Sequence, residues 1–199
     1  MTARSLFASK LHEADVGNDA LLSELAHSIR SLAQDDEAGR RWSKEHAYPG
    51  YTSYASLNDL PKRDPAFADL GKVLTRHAAM FADECAFELS RKPRLDSLWV
   101  NLLKGGGHHT GHIHPHSIIS GTLYVEVPKG SGPIRFEDPR LPSMMAAPMR
   151  RADAPVDLKP FVTVEPRTGL LLLWESWLRH EVLRGTTARE RLSISFNFV

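Results

Sequence analysis

The chain has 199 residues, 42% of them hydrophobic and 25% charged, which is ordinary for a globular protein able to bury a core. Lys plus Arg (25) almost cancel Asp plus Glu (24), for a formal charge of +1, so there is no basic footprint for nucleic acid or an anionic membrane. A lone cysteine, Cys85, excludes an internal disulfide, the longest apolar run ("LLLLW", residues 170–174) is too short to span a bilayer, and the N-terminus lacks a secretory apolar stretch.

These bounds predict one cytoplasmic domain over residues 1–199, with a helical support region (1–94) ahead of a β core (95–199). Residues 4–16 carry scattered apolar positions that suit a strand. Asn18 or Asp19 then caps a helix to about Gln34, with Leu21, Leu22, Leu25, Ile29 and Leu32 near helical spacing. Residues 39–60, rich in Tyr, Ser, Pro and Asn, read as loop. Asp64 and Pro65 are an N-cap and first-turn proline for a second helix, "DPAFADLGKVLTRHAAMFADECAFELS". Phe67, Leu70, Leu74, His77, Phe81 and Cys85 share its stripe. Beyond Arg91 the period changes to short β runs: "LDSLWVNLL", "SIISGTLYVEV", "GPIRFED", "FVTVEP", "GLLLLW" and "RLSISFNF". Short strands without intervening helices predict an antiparallel sandwich or barrel. The proline-rich stretch 141–159 reads as a long loop and a candidate lid.

The chemistry concentrates in "GGGHHTGHIHPHS" (105–117), which holds His108, His109, His112, His114 and His116. Residues two apart on a strand face the same way, so His112 and His114 can present two imidazoles to one ion. His108 and His109 sit in a Gly-rich turn and His116 follows a proline, which suits loop or supporting roles. A third ligand has to come from elsewhere, and His180 in "WESWLRHEV" is the best placed. His27, His46 and His77 read as surface or satisfied core residues. Near the end of the chain, Arg191 and Ser193 again share a strand face. A guanidinium grips a carboxylate in bidentate fashion, and a serine hydroxyl adds a hydrogen bond. The strand "ERLSISFNF" puts Arg191, Ser193, Ser195 and Asn197 on one side, the arrangement that lines a ligand cavity.

His112, His180 and Arg191-Leu-Ser193 resemble the pattern of Fe(II)- and 2-oxoglutarate-dependent dioxygenases: His-x-Asp/Glu, a distant His, then Arg-x-Ser. More closely, the chain is similar to a bacterial group of 2OG-Fe(II) oxygenases. The matching motifs are Trp99 to Asn101, His112 to Pro115, Ser120 to Tyr124, Phe136 to Arg140 and Ser176 to His180. The resemblance implies mainly β structure with N-terminal helices, a double-stranded β-helix (jelly-roll, cupin-like) barrel. It implies Fe(II) on His112, His114 and His180, a facial triad with open positions. It implies 2-oxoglutarate as co-substrate, its distal carboxylate held by Arg191, Ser193 and Tyr124, with Asn101 bonding co-substrate or substrate. His114 stands where most of the superfamily has a carboxylate. Glu137 and Asp138 are alternative donors on a later strand or turn. Trp174 and Glu175 stand where the group usually has Phe-Pro.

The expected activity is hydroxylation of an unidentified small-molecule or peptide substrate, without nucleic-acid or membrane partners and with no pattern fixing an oligomeric state. Two other readings share the histidines: a three-His cupin-type oxygenase that does not use 2-oxoglutarate, and a non-catalytic metal- or ligand-binding barrel. The first has no need of Arg191 and Ser193 at this spacing, and the second would never convert 2-oxoglutarate to succinate.

Overall fold

The β runs of the C-terminal half form two facing antiparallel sheets in the computed structural model, which describes residues 3–199. The strands are β1 (Leu11–Asp15), β2 (Gly50–Thr52), β3 (Leu95–Leu103), β4 (His109–His112) and β5 (Ile119–Glu126), then β6 (Ile134–Glu137), β7 (Phe161–Val164), β8 (Leu170–Glu175), β9 (His180–Val182) and β10 (Arg191–Phe198). The major sheet runs β1-β8-β5-β10-β3-β2 and the minor sheet β4-β9-β6-β7. The two sheets form the double-stranded β-helix expected from sequence, but both keep edge strands, so it does not close into a barrel. β1 and β2 come from the supposed helical support region and complete the major sheet at its two edges.

Two helices cover the outer face of the major sheet. Asn18 caps α1 (Asp19–Asp35) by accepting the Leu21 amide, and Asp64 caps α3 (Pro65–Glu84) by accepting that of Ala66. The apolar stripes expected in both helices are buried: Leu25 and Ile29 on α1, and Phe67, Leu70, Leu74 and Phe81 on α3. They pack against Leu123, Leu171, Leu192, Ile194 and Phe196 of the sheet in one core. Each such side chain contributes about 1.5–3 kcal/mol of burial. α3 ends at Glu84, short of the extent expected, because Ala86 enters a positive φ of 54° that breaks the helical path.

Residues 39–60 are not all loop: a further helix, α2 (Glu37–Glu45), and β2 occupy much of the stretch. Asp36 closes α1 and opens α2, accepting the Gly39 amide and the hydroxyls of Tyr51 and Ser56. The stretch 141–159 is irregular as expected, with two single 3₁₀ turns. None of it lines the cavity between the sheets; Val156, Asp157 and Lys159 instead border a groove of about 340 Å³ with residues 5–11. Among the described residues, no helix is long and apolar enough to cross a membrane.

Candidate metal centre

β10 separates the two halves of the interior. Leu192, Ile194, Phe196 and Phe198 face the helices, while Arg191, Ser193, Ser195 and Asn197 line the side toward the minor sheet. Strand register extends this polar face into rows: Ser193 is flanked by Tyr124 and Asn101, Ser195 by Thr122 and Trp99, and Asn197 by Ser120 and Ser97. Gly121, opposite Phe196, leaves room for that ring on the helix-facing side; a Cβ there would lie 2.3 Å from Phe196 Cζ and 2.5 Å from the Leu172 carbonyl. A cavity of about 540 Å³ results.

The minor sheet supplies the histidines. His112 and His180 are direct cross-strand partners of β4 and β9. His114 lies two residues past the end of β4 and is brought back by its amide bonding the Ser176 carbonyl. The three ring centroids form a nearly regular triangle: 4.4 Å (His112–His180), 5.1 Å (His114–His180) and 5.2 Å (His112–His114). One nitrogen from each ring lies within 4.8 Å of the others, and among the described residues no other three His, Cys, Asp or Glu converge in this way.

The second ring nitrogens are all engaged. His112 Nδ1 donates to the Thr110 carbonyl (2.8 Å), and His180 Nδ1 to the Leu178 carbonyl (2.9 Å). His114 Nδ1 meets Asn197 Oδ1 (2.7 Å), which also accepts from Ser120 Oγ (2.8 Å). A carbonyl only accepts, so Nδ1 carries the proton and Nε2 keeps its lone pair. Outer hydrogen bonds of this kind fix the tautomer and aim of metal-binding imidazoles. Burial first, and then the neighbouring imidazoles, push the His180 pKa down to about 3; burial also lowers that of His114. Both rings are therefore neutral near pH 7, the form that ligates metal. The donor set fits a divalent transition ion held facially on nitrogen. Glu137 and Asp138 are engaged elsewhere, pairing with Arg179 and Arg140, and do not join the cluster.

Arg191 is 4% exposed, yet has no carboxylate within ion-pair distance among the described residues. Its Nη1 donates to the Gly132 carbonyl (3.1 Å), its guanidinium carbon lies 5.4 Å from the Tyr124 ring centroid, and its Nε has no partner. A buried cation with an orphaned N–H fits an anion entering from the cavity. Ser193 and Tyr124, both buried, are next to it. Asn101 is more committed than its sequence position suggested. Its Oδ1 accepts from Thr52 Oγ1 (2.9 Å) and Tyr48 Oη (3.2 Å), and its Nδ2 donates to Ser195 Oγ (3.0 Å), leaving one amide N–H uncommitted.

Three contributors escaped the sequence reading. His109, expected in a turn, opens β4 and faces the cavity, its Nε2 2.9 Å from Tyr48 Oη. Burial first, and then Arg191, push its pKa down to about 3. Asn197 orients His114, and Tyr48 links His109 to Asn101. These contacts span 53 to 83 residues, so only the alternation of β10, which placed Asn197 on the polar face, offered a signal.

Comparison with known proteins follows the same lines. The sequence family described as "Putative 2OG-Fe(II) oxygenase" matches residues 97–197, while no curated protein matches the chain. Among solved structures, a Pseudomonas putida prolyl-4-hydroxylase is 18% identical at a TM-score of 0.65, covering 95% of this chain and 92% of its own. The epimerase SnoN of nogalamycin biosynthesis, solved with Fe3+, alpha-ketoglutarate and nogalamycin RO, is 17% identical at 0.65, with coverages of 96% and 79%. HygX from Streptomyces hygroscopicus, solved with nickel and 2-oxoglutarate, is 15% identical at 0.58, with coverages of 96% and 81%. At these identities the likeness to the solved structures is one of fold.

Proposed function

The chain belongs to the 2OG-Fe(II) oxygenase family, and from that premise we propose that His112, His114 and His180 hold its Fe(II) while Arg191 anchors the distal carboxylate of 2-oxoglutarate. The observation that carries this reading is the buried, unpaired guanidinium in the same cavity as the three converging imidazoles. A three-His oxygenase without 2-oxoglutarate has no use for that charge.

Bound together, iron and 2-oxoglutarate supply the oxidation of a substrate C–H bond by dioxygen, with succinate and carbon dioxide as co-products. The chain's own residues position and protect. His112, His114 and His180 direct Nε2 inward because their Nδ1 atoms are tied to Thr110, Asn197 and Leu178. Arg191 makes a charge-assisted contact with the incoming carboxylate, Ser193 adds its hydroxyl, and the Tyr124 ring packs beside the guanidinium. Asn101 contributes its remaining amide N–H and holds Tyr48 and Ser195 in place. Trp174, Phe136 and Leu178 form an apolar cluster behind His180 that keeps bulk water from the ring.

The substrate is a small molecule or a peptide, hydroxylated at carbon. The structural neighbours include a prolyl-4-hydroxylase and an epimerase solved with nogalamycin RO, which supports this class. The near-neutral charge and single cysteine suit a cytoplasmic enzyme without a nucleic-acid partner, its helical and β portions forming one domain. The test is anaerobic titration of the Fe(II)-loaded protein with 2-oxoglutarate. A weak visible charge-transfer band that saturates is expected, and its absence together with no conversion of 2-oxoglutarate to succinate refutes the assignment.

A further inference from the structure

We propose that Trp42, Tyr54 and Trp99 form a stacking shelf at the mouth of the metal cavity, which receives an uncharged or anionic ring-bearing substrate and rejects a cationic one. The proposal rests on the oxygenase reading for its purpose, but on separate residues for its evidence.

The three rings come from three elements and adjoin one another in turn. Trp42 sits on α2, Tyr54 just past β2, and Trp99 on β3. Their centroids are 6.0 Å (Trp42–Tyr54) and 5.3 Å (Tyr54–Trp99) apart, and Trp99 lies 5.9 Å from His114. Tyr54, 54% exposed, stands toward solvent, and Trp99, 8% exposed, stands beside His114. All three line the same cavity as the histidines and Arg191.

The setting of Trp42 indicates that it serves more than packing. It is the only large apolar residue of α2, yet the helix buries Gly39 and Ser43 instead and leaves Trp42 partly exposed. The helix is well fastened without it. Asp36 caps it, Ser43 Oγ accepts the Thr52 amide, and the Tyr48 amide bonds the Ser43 carbonyl. His46 stacks on the indole at 4.2 Å and 15°, which fixes its plane. A rigid helix thus presents an indole to the cavity mouth, an arrangement suited to stacking against a ring.

The charge of the lining selects among rings. Of the described residues that line the cavity, Arg191 is the only Lys, Arg, Asp or Glu. No carboxylate is present to meet an ammonium or amidinium, so a cation entering would lose water without gaining a counter-ion. Aromatic faces attract cations only modestly at exposed positions, and here they stand in the same cavity as a buried guanidinium and a metal site. The volume of about 540 Å³ lies within the range of small-molecule pockets and leaves room beyond a five-carbon diacid.

The test uses three probes of one shape and different charge: benzamide, benzoate and benzamidine. Each is titrated anaerobically into the full-length protein loaded with Fe(II) and 2-oxoglutarate, following tryptophan fluorescence and the visible band in the same sample. Benzamide and benzoate should quench saturably, with benzamidine at least about tenfold weaker. Trp42→Ala and Tyr54→Ala should each weaken benzamide by roughly 2- to 10-fold, the size of one stacked aromatic pair, and neither should remove the band. Benzamidine binding as tightly as benzamide overturns the charge selection. No saturable quenching by benzamide, or parent-like binding in both variants, overturns the shelf. Absence of the visible band in the parent refutes the co-substrate reading instead, and the fluorescence arms still decide the shelf.

Discussion

Arg191→Met separates an anion-binding role from a structural one, because the two predict opposite signs. In the free protein, Arg191 is a buried cation with one hydrogen bond to Gly132, an orphaned Nε and no acidic partner among the described residues. Methionine has a similar reach and no charge to desolvate. Replacing it should therefore leave the metal-free protein as stable as the parent or more so, since an unpaired buried charge is a cost. Binding of 2-oxoglutarate should suffer in the other direction. Truncating one partner of a buried, hydrogen-bonded charge pair costs about 2–5 kcal/mol, which at 1.4 kcal/mol per decade is roughly 30- to 4,000-fold in Kd. The assay is anaerobic titration of the Fe(II) protein for Kd, paired with thermal unfolding of the metal-free variant. A Kd close to the parent's refutes the assignment of Arg191. A lowered Tm that accounts for the lost binding refutes the reasoning about its uncompensated charge.

If His114 is one of the three proposed ligands, His114→Ala should reduce Fe(II) affinity by more than the roughly 10- to 100-fold typical of outer-sphere changes; parent-like affinity in a competition assay would show that His114 is no ligand. His114→Asp should retain iron, because a carboxylate at that position completes the commoner triad. Asn197→Ala should weaken iron binding by about 10- to 100-fold while leaving all three imidazoles in place, because it frees His114 Nδ1. Tyr48→Phe should destabilise the fold by about 1–3 kcal/mol in denaturant titration, since it strips the hydroxyl that meets His109 Nε2 and Asn101 Oδ1. Metal-free protein should lose stability on mild acidification. His109 and His180 have folded pKa values near 3 against about 6.5 unfolded. The unfolded state therefore binds more protons between these limits, and stability falls as pH drops below about 6.5. The loss between pH 7 and pH 5 is about 2 kcal/mol for each ring; a flat urea midpoint over that interval contradicts it.

The sequence displayed what depends on local pattern. Asn18, Asp64 and Pro65 marked two helix starts, and the "LDSLWVNLL" and "RLSISFNF" runs coincide with β3 and β10 residue for residue. His112, His114 and His180 converge, but not by the shared strand face that the spacing of His112 and His114 suggested, because His114 lies beyond β4. What stayed hidden depends on contacts between distant segments. α2 has a polar sequence with a single tryptophan, and its place is set by Asp36 and by Ser43 against β2. His109 looked like part of a glycine-rich turn because its partner, Tyr48, is 61 residues away. Asn101 looked free for a ligand because three of its hydrogen bonds reach across to Tyr48, Thr52 and Ser195.

β10 carries the enzyme's history of possible change in its alternation. Even-numbered positions, Leu192 to Phe198, belong to the folding core, and odd-numbered positions, Arg191 to Asn197, belong to the cavity. Substitutions on the odd series act first on the lining of the cavity, and those on the even series act first on the core that stabilises the fold. A single-residue deletion within the strand is different in kind. It exchanges the two series at once, sending the guanidinium row into the helical core and leucine into the cavity. Point substitution therefore preserves the alternation of β10, whereas a change of length within the strand does not.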